Sequence, residues 1–380
     1  MKKIGVLALG DKSFGGIYQY AQSIIDALKE DKTKHYVIFC HENDNRFDNY
    51  DLEVRKINKQ KLGRFKNIIR AMQLFFLIRK PYFFTQKELE VFDDIDTFLS
   101  PAISAYPHFY MNKPFIFTLH DMQERYYPEF FSKYELLTRW LNNRALAKSA
   151  KKIICESNFV KNDIVKFIGV NQKKIEIIQS PPPEEFLNYK FKKEQFSSVK
   201  NKYNLPKKFI FYPAQCWFHK NHIKLIEAFE IVSRKYSDIY LIFTGSQQNN
   251  YKNVMDKIKE LHLQDRVKHL GYIDYEDLPY FYKMSQFLVV PTLFESVSIP
   301  IYEAFSLEVA VCCSNVVALP EQVGEAGLLF NPHDIEDIAN KILLYLNNEE
   351  LRKEKAKLGH ERVKGFNHDK YRDRLLKVLK

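Results

Sequence analysis

Short apolar, β-branched and aromatic runs alternate with longer amphipathic stretches along nearly the whole chain, and this constrains the fold more than any other feature. It is the pattern of βαβ units building parallel sheets. The first half predicts strands at Ile4–Leu9, Tyr36–Cys40, Thr97–Leu99, Phe115–Thr118 and Lys152–Cys155, with helices after Gly16 and after Ser157. The second half predicts strands at Phe209–Tyr212, Tyr240–Thr244, Val267–Leu270, Phe287–Val290 and Val309–Cys313, with helices near Lys224–Lys235 and Asn253–His262. Between the halves, the proline- and lysine-rich stretch from Gln179 to Lys208 reads as a linker after which the strand pattern restarts. A chain of 380 residues suits two domains, each able to bury its own core. The expected boundaries are 1–185 and 186–366, two Rossmann-like halves facing a central cleft with ligands at the carboxyl ends of the strands.

Composition narrows the class of partner. The net charge is +11, from 58 basic and 47 acidic residues, which favours an anionic partner such as a nucleotide or an acidic membrane. Five cysteines without framework spacing, two of them adjacent at Cys312 and Cys313, point to a reducing compartment. The basic start Met1-Lys2-Lys3 leads into an apolar run that breaks at Gly10-Asp11, so it reads as a first strand and not a signal peptide. No run reaches the roughly 18 apolar residues that span a bilayer. The expected location is cytoplasmic, peripheral on the inner face of the membrane. Nucleic-acid binding needs a recognised module or aromatic platforms, and neither appears.

The chemistry concentrates in the run F-E-S-V-S-I-P-I-Y-E-A-F, where seven residues separate Glu295 from Glu303. Following a strand candidate, the run reads as tight loop then helix, with Pro300 in the first turn where its missing N–H costs nothing. The amides of Val297, Ser298 and Ile299 would then point outward at the positive end of a helix dipole, an anion site. Glu303, one turn in, would reach back over the crevice to accept from a diol. The spacing therefore offers one carboxylate for each end of a ligand with phosphate in its middle.

This run resembles the E-x7-E element of retaining nucleotide-sugar glycosyltransferases with the GT-B fold (family 4), and further landmarks follow in family order. Ser13-F-G-G-I-Y-Q-Y resembles the family's glycine loop, implying Gly15 and Gly16 near donor phosphates and acceptor. Phe117-T-L-H-D resembles the His-Asp segment, implying that His120 bonds the transferred sugar. Ala214-Q-C-W-F-H-K-N-H places Lys220 where the family holds the donor pyrophosphate. Five positions earlier the broader family carries arginine; here Gln215 stands, as in a recognisable subset, so one cation is missing from the phosphate site. Phe243-T-G-S puts Gly245 beside the nucleotide, and Leu319-P-E-Q-V-G-E-A-G-L-L-F completes the pattern, with Glu321 structural. The resemblance also implies a C-terminal helix, 367–380, crossing back to the first domain. It assigns acceptor binding to the first domain and donor binding to the second.

Other features carry a plainer reading. Ser157 is expected to N-cap its helix. Asp93-D-I-D imitates a metal-binding D-x-D but precedes a first-domain strand and reads as a solvated turn. His219 and His222 flank Lys220 without a third ligand, so no metal is expected. Residues 56–80 combine cations with a Phe/Leu/Ile face suited to an anionic membrane surface.

These residues lead to an expectation of a retaining glycosyltransferase that moves a hexose, mannose-type preferred, from a nucleotide-diphosphate sugar. Its acceptor would be a glycan or lipid-linked glycan of the O-antigen or capsule kind. His120 and Glu295 would orient the sugar, Glu303 would bind ribose, and Lys220 with the loop amides would hold pyrophosphate, without cofactor or metal. The alternatives are a non-catalytic nucleotide- or membrane-binding protein, and a sugar-nucleotide epimerase or glycan phosphorylase on the same fold.

Overall fold

The structure, a computed structural model, describes residues 1–10, 16–58, 63–104, 106–110, 112–366 and 368–380. The chain forms two compact units, Met1–Ser180 with His368–Lys380, and Pro181–Asn367.

The first unit contains strands β1 (Lys3–Leu7), β2 (His35–His41), β3 (Glu53–Ile57), β4 (Thr97–Ser100), β5 (Phe115–Thr118), β6 (Lys152–Cys155) and β7 (Ile175–Ile177). They form one sheet in the order β3-β2-β1-β4-β5-β6-β7, with every pairing parallel. Central strands such as β4 and β5 are buried along their whole length. That explains their near-continuous apolar sequences, since helices cover both faces of a parallel sheet. Phe39, Phe98, Phe117 and Ile153 belong to this core. The helix His368–Val378 returns to this unit, packing against the helix Gly16–Lys29.

The second unit contains β8 (Phe209–Pro213), β9 (Tyr240–Thr244), β10 (Val267–His269), β11 (Leu288–Val290), β12 (Val311–Ser314) and β13 (Gly327–Phe330). Their order is β10-β9-β8-β11-β12-β13, again all parallel. Strand order reverses between β8 and β11, so the loops leaving their carboxyl ends part in opposite directions and open a crevice. The same reversal occurs between β1 and β4 in the first unit.

Three strands departed from expectation: β3, β7 and β13 were not predicted, and all three are sheet edges. Edge strands are short or charged because an unpaired flank must resist further pairing. Thus β3 reads E-V-R-K-I and β7 only I-E-I. The expected linker also proved to be structured. It carries helices Glu184–Leu187 and Lys193–Lys202, whose Phe186 and Val199 are buried in the second unit's core.

Candidate active site

The second unit builds its site where β8 and β11 end. After β8 the chain runs through Ala214–Lys220 and enters the helix His222–Lys235. Gly245, just beyond β9, makes this path sterically allowed. Its φ is +122°, and a Cβ there would lie 2.8 Å from the Ala214 carbonyl carbon and 2.9 Å from the Gln215 nitrogen. Only glycine tolerates both the dihedral and the contact. Gln215 Oε1 accepts from Trp217 Nε1 at 2.8 Å.

Asn221, which sequence reasoning passed over, ties this loop to its neighbours. It sits in the left-handed region at φ +57°, which Asn tolerates better than most residues. From there its Nδ2 donates to the Pro291 and Pro332 carbonyls, both at 2.9 Å. The His219 carbonyl accepts from Leu293 N at 2.7 Å and from Thr292 Oγ1 at 3.0 Å. The loops after β8 and β11 are thereby fixed side by side.

That fixation brings Lys220 and Glu295 together, with Nζ 2.8 Å from Oε1 and both side chains largely buried. The other carboxylate oxygen, Glu295 Oε2, is buried and has no partner among the described residues, and the same holds for Ser298 Oγ three residues on. Buried polar atoms left unpaired mark places where a ligand or water completes the bonding.

The helix that follows spans Ile299–Ser306, with Ser298 at its N-cap and Pro300 in its first turn. One expectation needs correcting here. The Ser298 amide does not point outward unpaired: it donates to Gln322 Oε1 at 2.9 Å, while Gln322 Nε2 donates back to the Ser298 carbonyl at 2.8 Å. Gln322 is in turn anchored through its own carbonyl, which accepts from Arg362 Nε at 2.8 Å. The Glu321 carbonyl takes a second bond from Arg362, at 2.7 Å. This clamp leaves the amides of Val297 and Ile299 as the loop's candidate anion donors. A glutamine about twenty residues past a loop carries no local signal, which is why it went unnoticed.

Glu303 is 4% exposed and accepts from Tyr282 Oη at 2.6 Å. Burial pushes its carboxyl up to about 7, the Tyr282 bond opposes the shift, and Glu185 adds to it. Glu303 is therefore a carboxyl whose ionisation is moved toward neutral pH, held in place by a phenol.

In the first unit, His120 follows β5. Its Nδ1 lies 2.9 Å from Glu156 Oε2 and its Nε2 lies 2.9 Å from the Pro101 carbonyl. Both neighbours only accept when Glu156 is ionised, so both ring nitrogens must carry protons and the ring is an imidazolium. Burial works against that charge, but Glu156 and the Pro101 carbonyl outweigh it and hold the pKa above its ordinary value. Tyr20 packs edge-on to the ring with centroids 4.7 Å apart, and Ser180 Oγ donates to the other Glu156 oxygen. Both ring nitrogens are thus engaged within the first unit. Glu156 is a candidate that sequence reasoning did not single out. His120 lines a cavity of about 510 Å³ within this unit, together with His41, Arg70, Phe109, Asp121 and Arg139.

Gly15 lies outside the described residues, and Gly16 is the first residue of its helix. Ser157 does cap its helix, accepting from Val160 N at 3.2 Å. Within Asp93–Asp96, Asp94 pairs with Arg55 and Lys3, and Asp96 accepts from the Lys3 amide. The turn is thus used by ion pairs. His222 is fully buried between the Tyr212 and Phe243 rings, and burial pushes both it and His219 down to about 3. No group of three potential metal ligands occurs among the described residues. Of the basic stretch 56–80, Lys56 and Ile57 belong to β3, and the helix is Arg64–Phe76.

Two family models match the chain: "Glycosyltransferase Family 4" over residues 14–181 and "Glycosyl transferases group 1" over residues 193–362. Among curated relatives, the O-antigen chain mannosyltransferase B of Escherichia coli is 26% identical over 68% of this chain and 69% of its own length. The O-antigen chain mannosyltransferase RfbU of Salmonella typhimurium is 27% identical over 57% of this chain and 56% of its own length. The match to the serotype-specific mannosyltransferase WbdA of Escherichia coli spans only 27% of that protein. Among solved structures, Anabaena Alr3699/HepE in complex with UDP-glucose superposes with a TM-score of 0.78 at 17% identity, covering 100% of this chain and 99% of the other. WaaG, involved in lipopolysaccharide biosynthesis, gives 0.75 at 12% identity, covering 99% of each. These likenesses establish the GT-B architecture of two parallel-sheet Rossmann-like halves. With one model on each of its two units, the chain belongs to the family 4 and group 1 glycosyltransferases and is a glycosyltransferase enzyme.

Proposed function

We propose that this enzyme transfers a hexose, mannose by preference, from a nucleotide-diphosphate sugar to a growing lipid-linked surface glycan, with retention of anomeric configuration. The observation that carries the reading is the Lys220–Glu295 pair at the carboxyl ends of β8 and β11, beside two unpaired buried oxygens. A pyrophosphate arriving there takes Lys220 as its point charge and the amides of Val297 and Ile299 at the helix start. Glu295, released from Lys220, turns both carboxylate oxygens to sugar hydroxyls. Glu303, presented by Tyr282, accepts from the ribose diol once ionised. Within the first unit, His120 is the group proposed to donate to a sugar hydroxyl, by giving up the Pro101 carbonyl.

In the reaction the bond from the sugar's anomeric carbon to the diphosphate breaks and a bond to an acceptor hydroxyl oxygen forms on the same face. The hydroxyl proton passes to the departing phosphate oxygen. Charge developing on that diphosphate is met by Lys220 and the helix start, the electrostatic contribution that matters most in such chemistry. The reading needs no cofactor and no divalent metal.

Support for the donor class comes from HepE, whose structure holds UDP-glucose. Support for mannose and O-antigen comes from the relatives' activities. The acceptor belongs to the first unit in this reading, and the enzyme works at the inner face of the cytoplasmic membrane. The test is a transfer assay with GDP-mannose and other nucleotide sugars, in chelator, on lipid-linked glycan extracts. It is read by nuclear magnetic resonance of the new anomeric centre. Retained configuration supports the reading; an inverted product, or epimerised donor without transfer, overturns it.

A further inference from the structure

The helix Arg64–Phe76 is mounted with its apolar side outward. Its buried positions are Gln73 and Leu74, and Gln73 spends its side-chain amide on the Lys80 carbonyl at 2.8 Å. Leu74 packs with Phe109, Leu141 and Ala145. The large apolar residues stand in water: Phe65 is 75% exposed, Phe76 63% and Met72 54%, with Ile68 and Phe75 also exposed. A helix covering a core puts such residues inward, and contiguous exposed apolar surface marks an interaction site. The neighbouring helix Lys133–Ser149 extends the patch. Its Trp140 lies 6.2 Å from Phe75 and its Arg144 donates to the Phe75 carbonyl at 2.8 Å. Leu137 and Tyr134, further along, are exposed.

Charge identifies the occupant. Residues 54–87 hold ten Lys and Arg and no Asp or Glu, leaving 48 basic against 47 acidic residues in the rest of the chain. The chain's basic excess is therefore almost wholly confined to the segment that bears the exposed apolar helix. Arg55 and Lys56 are paired with Asp94 and Asp48, but Arg64, Lys66, Lys80 and Lys87 are exposed. A second copy of the chain docked symmetrically would set this cationic segment against itself. Nucleic acid would leave Ile68 and Met72 without a favourable contact. We infer that the helix Arg64–Phe76, with the exposed flank of Lys133–Ser149, seats this enzyme on a bilayer rich in anionic lipid. The apolar side chains enter the headgroup boundary and the lysines and arginines meet lipid phosphates. This deepens the proposed function by naming the surface through which a lipid-linked acceptor is approached.

The test is flotation of the full chain with phosphatidylcholine vesicles, alone and mixed with phosphatidylglycerol, alongside a thermal-shift reading with nucleotide sugars. Expected is binding about tenfold or more tighter to the anionic vesicles, weakened by salt. Phe65→Ser combined with Phe76→Ser is expected to abolish flotation while leaving the nucleotide-dependent thermal shift intact. Arg64→Glu with Lys66→Glu is expected to remove the anionic preference. Both pairs are exposed, so the melting temperature should hold. The inference is overturned if wild type stays in solution with anionic vesicles, or if the serine pair floats like wild type. It is also overturned if the serine pair instead dissolves a dimer seen by light scattering. Flotation without any nucleotide-sugar response would leave the docking surface standing and remove the transfer reading.

Discussion

Lys220 Nζ stands 2.8 Å from Glu295 Oε1, so the cation proposed to hold a diphosphate is neutralised by the carboxylate proposed to hold a sugar. Both groups are largely buried, and neither can be removed without stranding the other. Lys220→Ala and Glu295→Ala should each lower stability, by about 1–3 kcal/mol. The double variant should be less destabilised than their sum, because deleting one partner leaves an uncompensated buried charge. Chemical denaturation of the four proteins closes the cycle; strict additivity would mean the pair is not energetically coupled. In transfer, Lys220→Ala should cost about a hundredfold or more in kcat/KM.

Glu303 gives a pH signature. Its carboxyl is raised from 4.5 to about 7 by burial, against the Tyr282 bond. The folded state therefore binds more protons than the unfolded state between these values, and the group's contribution to stability falls as pH rises through that window. Glu303→Gln should consequently gain stability relative to wild type at pH 8 compared with pH 5, by a few kcal/mol at most. Melting curves across pH check this, and a parallel response of both proteins would contradict it. Nucleotide affinity of wild type should rise over the same interval, as the carboxylate needed by a diol forms.

Removing the Tyr282 hydroxyl should act through Glu303. Tyr282→Phe leaves a buried carboxylate oxygen without its donor, at about 1–3 kcal/mol, and the pH midpoint of nucleotide binding should move upward. An unchanged midpoint, with stability alone reduced, would reduce Tyr282 to a packing role.

Glu156 should control the charge on His120. The raised His120 pKa contributes stability that is fully present below pH 6.5 and is lost as pH rises through the folded value. The stability gap between wild type and Glu156→Gln should therefore be larger at pH 6 than at pH 9. The His120 ring resonances should titrate at lower pH in the variant. A ring that titrates identically in both proteins would refute the pairing.

The central strands and the order of the motifs were legible because two-sided burial writes itself into sequence as continuous apolar runs, as in β5 and β9. The edges β3, β7 and β13 were not, since a half-exposed flank dilutes that signal. At the candidate site, sequence singles out Lys220 and Glu295 on separate loops, whereas their mutual contact spans 75 residues and has no local trace. Separations of 24, 21 and 36 residues likewise hide the Gln322 clamp on Ser298, the phenol under Glu303 and the carboxylate behind His120. Sequence named candidate groups, and long-range packing assigned their partners and their charge.

The most direct measurement is a thermal-shift titration with GDP-, UDP-, dTDP- and ADP-sugars, with and without magnesium, on wild type, Lys220→Ala and Glu303→Gln. Ligand that binds only the folded state raises its stability by mass action. The account predicts a metal-independent shift with one nucleotide family, strongest with a GDP-sugar, reduced in Lys220→Ala and lost in Glu303→Gln. A shift of equal size in all three proteins would contradict it, as would no shift with any nucleotide sugar.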